Sequence, residues 1–388
     1  MNEQPYKRSF FGAVAAGAAA SAFPTSAHAK PKLPTTDLIR VGVIALNDNS
    51  HMNPNYSIWP QTINPTEPDR WPYGRTTRML ITHCWDKDPA MADLFAKKYN
   101  CTAVKNYYDM VGKVDGMIFA GFNECEWWPR LTEPYLKAGI PCYINRPFAY
   151  SMKDAKYMVE LSKKHNAPIL CTDEREYIKE AMIARARVRS LLAEGKNIVG
   201  ANSVNAAGEW SQHGVHGLYY LLAILGMDVG KVSLQADGWW REVTPTAHQK
   251  MSWALLTLQY NGISIDDVER QQTKPFTVSQ QHYGPYNAGI RLYYDGGWWD
   301  DAHKHVQGER QDRLYYLFFP TVLAIQRLFE TREMQWSHDY ILRKTQIFLA
   351  AFKSHLDHDG ALIDVDSLHD DWQAPSPYPD WLDKNIFQ

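Results

Sequence analysis

The chain has 388 residues, which sets a two-domain expectation. Apolar residues make up 45% and charged residues 22%, an ordinary globular balance that can bury a large core. A formal net charge of -2 leaves no basic surplus, so nucleic acid is not an expected partner.

Residues 1–29 read as a signal peptide. Lys7-Arg8 precede the apolar run FFGAVAAGAAASAF, and small residues follow up to Ala27-His28-Ala29. The run is too short to span a bilayer, so no integral membrane segment is expected in the mature chain. KRSFF resembles a twin-arginine export signal, with Lys7 in the place of the first arginine. The expected location is periplasmic or secreted; a disordered or membrane-tethered N-terminus is the alternative. Five cysteines, Cys84, Cys101, Cys125, Cys142 and Cys171, include no C-x-x-C pair. An exported protein permits disulfides, but an odd count leaves one thiol over, and buried small hydrophobes are the simpler reading.

Residues 30–38 read as a linker. IRVGVIAL (39–46) is a predicted strand, followed by a polar and aromatic stretch, 47–75, that is long for a loop and therefore functional or partly helical. Then strands and helices alternate. RMLITHCW is a strand, DPAMADLFAKKYN a helix, CTAV a strand, YYDMVGK a small helix and DGMIFAGF a strand. PRLTEPYLKAG is a helix, IPCYINRPF a strand, MKDAKYMVELSKKHN an amphipathic helix and APILCT a strand. This alternation predicts a doubly wound α/β domain over 39–172, with ligands at the carboxyl ends of its strands. Beyond 172 the pattern changes. One long helix, EYIKEAMIARARVRSLLAEGK, is followed by the helix HGVHGLYYLLAILG, five strand-like runs, and the late helices PTVLAIQRLFETR and DYILRKTQIFLAAFKSHLDHDG. Residues 173–388 are therefore expected to form an α+β domain with a large open, mainly antiparallel sheet.

Four stretches resemble the Gfo/Idh/MocA family of oxidoreductases. WDKDPAMADLFAKKYN is similar to that family's second strand end and helix. AGIPCYINRPFAYSMKDAKYMVELSKKHNAPIL is similar to its segment around E-K-P. HGVHGLYYLLAILG is similar to its substrate-domain helix, and FLAAFKSHLDHDGALIDVDSL to its closing segment. The resemblance runs from about Ile39 to Leu368. It implies a Rossmann-like nucleotide-binding domain, a substrate domain, NAD as cofactor, a carbohydrate substrate and a homo-oligomer.

Carried over residue by residue, the resemblance names candidate site residues and departures. The cofactor turn should be glycine-rich, but here it reads ALNDNSHM, similar to the D-T-S-H turn of a subset of the family. Asn47, Asp48, Ser50 and His51 are its candidate contacts, against a capped helix start. Asp86, at the end of the second strand, is the candidate acid for the ribose hydroxyls and favours NAD over NADP. E-K-P is replaced by Asn145-Arg146-Pro147, and the resemblance makes Asn145 a further candidate cofactor contact. Arg146 cannot lose a proton as the family's lysine does, but it can anchor a substrate or stabilise an oxyanion. In the substrate-domain helix, Gln212 replaces the family's acid, and His216 stands where the catalytic histidine does and can act as general acid or base. His213 lies on the same side of the helix, and two such histidines could bind a metal with Asp300, Asp301, His303 or His305. Arg175 and Tyr177 are further candidates facing substrate, with Tyr177 as a possible proton donor.

The sequence thus points to an exported NAD-linked oxidoreductase acting on a sugar or sugar derivative. Its rivals are a cofactor-free or metal-assisted lyase or isomerase on the same fold, and a periplasmic sugar-binding protein without chemistry.

Overall fold

The structure is a computed structural model that describes residues 37–46, 50–55, 59–67, 77–121, 124–205, 210–236, 253–265, 269–282, 289–300 and 310–375. The first sheet contains β1 (Ile39–Ile44), β2 (Met79–Trp85), β3 (Thr102–Ala103), β4 (Gly116–Phe119), β5 (Cys142–Ile144) and β6 (Ile169–Leu170). All its pairings are parallel, in the order β3-β2-β1-β4-β5-β6. This is the doubly wound order, with its reversal between β1 and β4. Its strands are near-continuous apolar runs because helices cover both faces.

Four helices alternate with these strands: α1 (Trp59–Ile63), α2 (Pro89–Tyr99), α3 (Trp128–Lys137) and α4 (Met152–His165). Local signals set their ends. The Asp88 carboxylate accepts from Ala90 N–H ahead of α2, and Asn100 ends it in the left-handed region at φ 52°. Ser151 and Asn166 do the same for α4. The stretch expected as a small helix at 107–113 is a run of turns instead. Seven residues are too few to sustain a helix without a packed apolar face.

The long helix expected from Glu176 is divided. A 3-10 turn, Glu174–Glu176, precedes α5 (Lys179–Ala193). Asp173 and Glu176 form a reciprocal capping box that closes the turn on itself. A π-helical turn, Trp210–Gly214, leads into α6 (Val215–Leu225).

The second sheet contains β7 (Ile198–Asn205), β8 (Val229–Ala236), β9 (Ala254–Tyr260), β10 (Phe276–His282), β11 (Gly289–Tyr294), β12 (Gly297–Asp300) and β13 (Ile363–Asp364). Their order is β12-β11-β7-β10-β9-β8-β13. The sheet is mixed: β7 and β10 pair in parallel, while its other pairings are antiparallel.

Two late helices tie the halves together. α7 (Arg310–Thr331) begins ten residues before the expected Pro320, which lies inside it. Its Val322, Ile325, Leu328 and Phe329 pack into one core cluster with β1, β2, α1 and α2. α8 (His338–Asp357) joins the other cluster, which runs from α3 and α4 through α6 to the second sheet. No described helix is long and apolar enough to cross a membrane.

Candidate active site

The carboxyl ends of β5 and β6 deliver Arg146 and Asp173, and the first turn of α6 delivers His216. All three are buried. Asp173 Oδ2 lies 2.5 Å from His216 Nδ1 and 3.3 Å from Arg146 Nε. Arg146 Nη2 lies 3.0 Å from His216 Nε2. A guanidinium only donates, so Nε2 accepts and Nδ1 carries the proton that Asp173 receives. The imidazole is therefore neutral. Burial and the nearby Arg175 and Arg146 charges hold its pKa well below the usual histidine value. Burial works against the Asp173 charge, but the His216, Arg175 and Arg146 side chains outweigh it and hold this carboxyl well below its usual range.

Arg175 completes the cluster. Its Nη1 lies 2.6 Å from Glu174 Oε1 and 3.7 Å from Asp173 Oδ1. Burial, with Asp173 adding repulsion, raises Glu174 to about 7. The capping box fixes the cluster's frame: Asp173 N–H donates to Glu176 Oε2 at 2.8 Å, and Asp173 Oδ1 accepts from Arg175 N–H.

Glu176 is held from behind by Lys344 of α8. Lys344 Nζ sits 3.1 Å from both Glu176 carboxylate oxygens and 3.9 Å from the Tyr219 ring centroid. This pair is fully buried. Sequence reading missed it, although Lys344 falls on the buried stripe set by Ile341, Thr345 and Phe348. It also missed Asp173 and Glu174.

The structure brings together Arg146, Arg175 and His216, and sets His213 beside them, its ring centroid 5.4 Å from that of His216. Tyr177 it directs elsewhere, donating its hydroxyl to Gln335 Oε1 at 2.8 Å. The Gln212 side chain lies outside the described residues, as do Asn47, Asp48, Asp301, His303 and His305. Asp300 pairs with Arg291 on the second sheet. Ligand atoms of Asp173, Glu174 and His216 fall within 4.8 Å of one another, a metal-like grouping different from the histidine pair expected. Arg146 and Arg175 already supply positive charge to these carboxylates, so the cluster is balanced without a cation.

At the other end of the sheet edge, Asp86 follows β2 and is buried. It accepts from Leu46 N–H at 2.5 Å and from Asp88 N–H at 2.9 Å, one on each oxygen. Each oxygen keeps a lone pair for a further donor. Burial lifts Asp86 to about 6, so added hydroxyl donors would favour its charged form. Ala45 holds the left-handed conformation, φ 66°, that a glycine would ordinarily supply in this turn. A ribose diol therefore fits Asp86. The other candidates are engaged within the protein. The Ser50 hydroxyl donates to Ala45 O and accepts from Met52 N–H. His51 stacks on Trp59 at 4.5 Å, and burial, then Arg146, lowers its pKa well below the usual value. Asn145 Nδ2 donates to the carbonyls of Ala120 and Gly121.

No family model matches the sequence, and no curated protein does. Solved structures do match. A scyllo-inositol dehydrogenase from Lactobacillus casei with bound NAD(H) and scyllo-inositol is 13% identical at a TM-score of 0.64, covering 85% of this chain and 100% of that one. A myo-inositol dehydrogenase from the same organism, in complex with NAD(H) and myo-inositol, is 12% identical at 0.62, covering 88% and 100%. An oxidoreductase from Agrobacterium radiobacter in complex with NAD+, L-tartaric acid and magnesium is 16% identical at 0.58, covering 85% and 99%. With its doubly wound sheet, its second open sheet and these matches along nearly the whole of each neighbour, the chain has the fold of these two inositol dehydrogenases and this oxidoreductase.

Proposed function

We propose that the protein is an exported, NAD-linked oxidoreductase acting on a sugar or sugar derivative. The observation that carries this reading is the Asp173–His216 pair beside Arg146, set on the same sheet edge as Asp86. The neighbours' bound NAD(H) and inositols support the cofactor and substrate class. The signal-like N-terminus supports export to the periplasm or outside the cell. The exposed Val199, Val204 and Trp298 on the second sheet support a homo-oligomer.

A bound NAD would supply a hydride acceptor for oxidation of a carbinol carbon. Asp86 would hold its ribose hydroxyls and repel a 2′-phosphate. Asp173 keeps the His216 proton on Nδ1, which leaves Nε2 as the base for the substrate hydroxyl. In the resting arrangement Arg146 donates to that nitrogen. It must release Nε2 for proton transfer, and its freed N–H then stabilises the developing alkoxide. Arginine thus does electrostatic work where a lysine would exchange a proton.

A second reading, a non-redox lyase or isomerase, is favoured by the internal use of the Ser50 hydroxyl and the Asn145 amide. One assay separates the two. Polyols, aldoses and sugar acids are offered with NAD+, and NADH absorbance is followed. The expected result is turnover that His216→Ala lowers by about 10²–10⁴-fold while NAD+ still binds. Substrate consumption without NADH or bound nucleotide would establish the second reading.

A further inference from the structure

β2 and β3 run parallel, with His83 opposite Thr102 and Cys84 opposite Ala103. Side chains alternate across a sheet, so Cys101, two residues before Ala103, falls on the same face as Cys84. α2 covers that face. Asn100 closes the helix, and Cys101 N–H donates back to Ala96 O at 3.1 Å, which turns the chain in toward β2. Cys84 belongs to the cluster that contains Ala92, Phe95 and Tyr99, and Cys101 packs against the same cluster. The Cys84 thiol points toward α2, where it donates to Ala92 O at 3.5 Å, on the side of β2 that Cys101 shares. Cys125, Cys142 and Cys171 are buried in the other cluster. The sequence alone, with its odd count and no C-x-x-C spacing, gave no reason to pair any two.

We propose that Cys84 and Cys101 form an intrachain disulfide when the protein meets an oxidising compartment, closing the β2–α2–β3 unit. The oxidant is an external disulfide such as oxidised glutathione. Cys101 is the half-buried partner and Cys84 the buried one, so Cys101 is the thiol that attacks. Its thiolate displaces one glutathione and leaves a mixed disulfide. Cys84 sulfur then displaces the second, its proton leaving with the departing thiol. Two protein thiols are oxidised and one glutathione disulfide is reduced to two thiols. The bond closes a loop over residues 85–100, a span long enough to restrict the unfolded chain. It also fastens the strand end that carries Asp86.

The test uses the full-length protein incubated with oxidised glutathione, denatured in iodoacetamide, digested and analysed by mass spectrometry. The expected result is alkylation at Cys125, Cys142 and Cys171, with the peptides of Cys84 and Cys101 joined. Dithiothreitol should then lower the thermal midpoint of the oxidised protein by about 5 °C, and should leave Cys101→Ser unmoved. Five alkylated cysteines after oxidation, or a bond through Cys125, Cys142 or Cys171, would overturn the proposal. The mass analysis needs only the wild-type chain, so it stands whether or not the variant folds.

Discussion

The two ends of one sheet edge are built on different principles. Beyond β5 and β6, five ionisable side chains from three separate segments satisfy one another, backed by the Lys344–Glu176 pair. Beyond β1 and β2, a single carboxylate is held by backbone N–H groups, and its neighbours' polar atoms are spent on the turn itself. The first end is fixed by charge, the second by backbone. The difference teaches that an arginine at position 146 is compatible with a closely bonded, buried cluster at this end of the strands. Arg146, Asp173 and His216 form one network, while the Asp86 end holds its acid on backbone N–H groups in a turn where Ala45 takes the left-handed conformation.

Breaking the charged end should have the largest effect. Asp173→Asn leaves two guanidiniums less compensated and frees the His216 tautomer. We expect turnover to fall about 10³–10⁴-fold, and urea unfolding to show a loss of about 3–5 kcal/mol. Lys344→Met should cost about 3 kcal/mol by stranding the Glu176 carboxylate, and Lys344→Met with Glu176→Gln should regain most of it. Asp86→Asn tests the other end. NAD affinity should drop about 10–100-fold by calorimetry, with turnover at saturating NAD nearly preserved.

A smaller effect lies in the second sheet, where both ring nitrogens of buried His282 lack a hydrogen-bond partner. Burial lowers its pKa to about 3. Between pH 6.5 and 3 the unfolded chain binds a proton that the native one refuses, so stability falls as pH falls through that window. His282→Phe should gain about 1 kcal/mol at pH 7 and flatten the acid limb of a stability–pH profile. The exposed Arg40–Asp115 pair gives the lower bound: Asp115→Asn should cost under about 1 kcal/mol.

The first sheet was legible in the sequence because apolar runs alternate with capped helices at short range. The parallel pairing of β7 with β10 was not, since Gly200 meets Thr277 only through the fold. Pro320 misled for a physical reason: proline favours a helix's first turn, so the run looked like a start when it was an interior. Resemblance singled out His216, Arg146 and Asp86, and the structure gathers the first two around Asp173. Asp173 was not legible, because its partners lie 27 and 43 residues away and no local pattern links them. Lys344 was hidden the same way, 168 residues from Glu176.

The most direct test of the central claim is nucleotide binding at the Asp86 end. Calorimetric titration of the purified, nucleotide-stripped protein with NAD+ and NADP+ is compared with the same titrations of Asp86→Ala. The account predicts that NAD+ binds the wild type at least about tenfold more tightly than NADP+, and that Asp86→Ala loses this preference. No binding of either nucleotide, or equal binding that the substitution leaves unchanged, would contradict it.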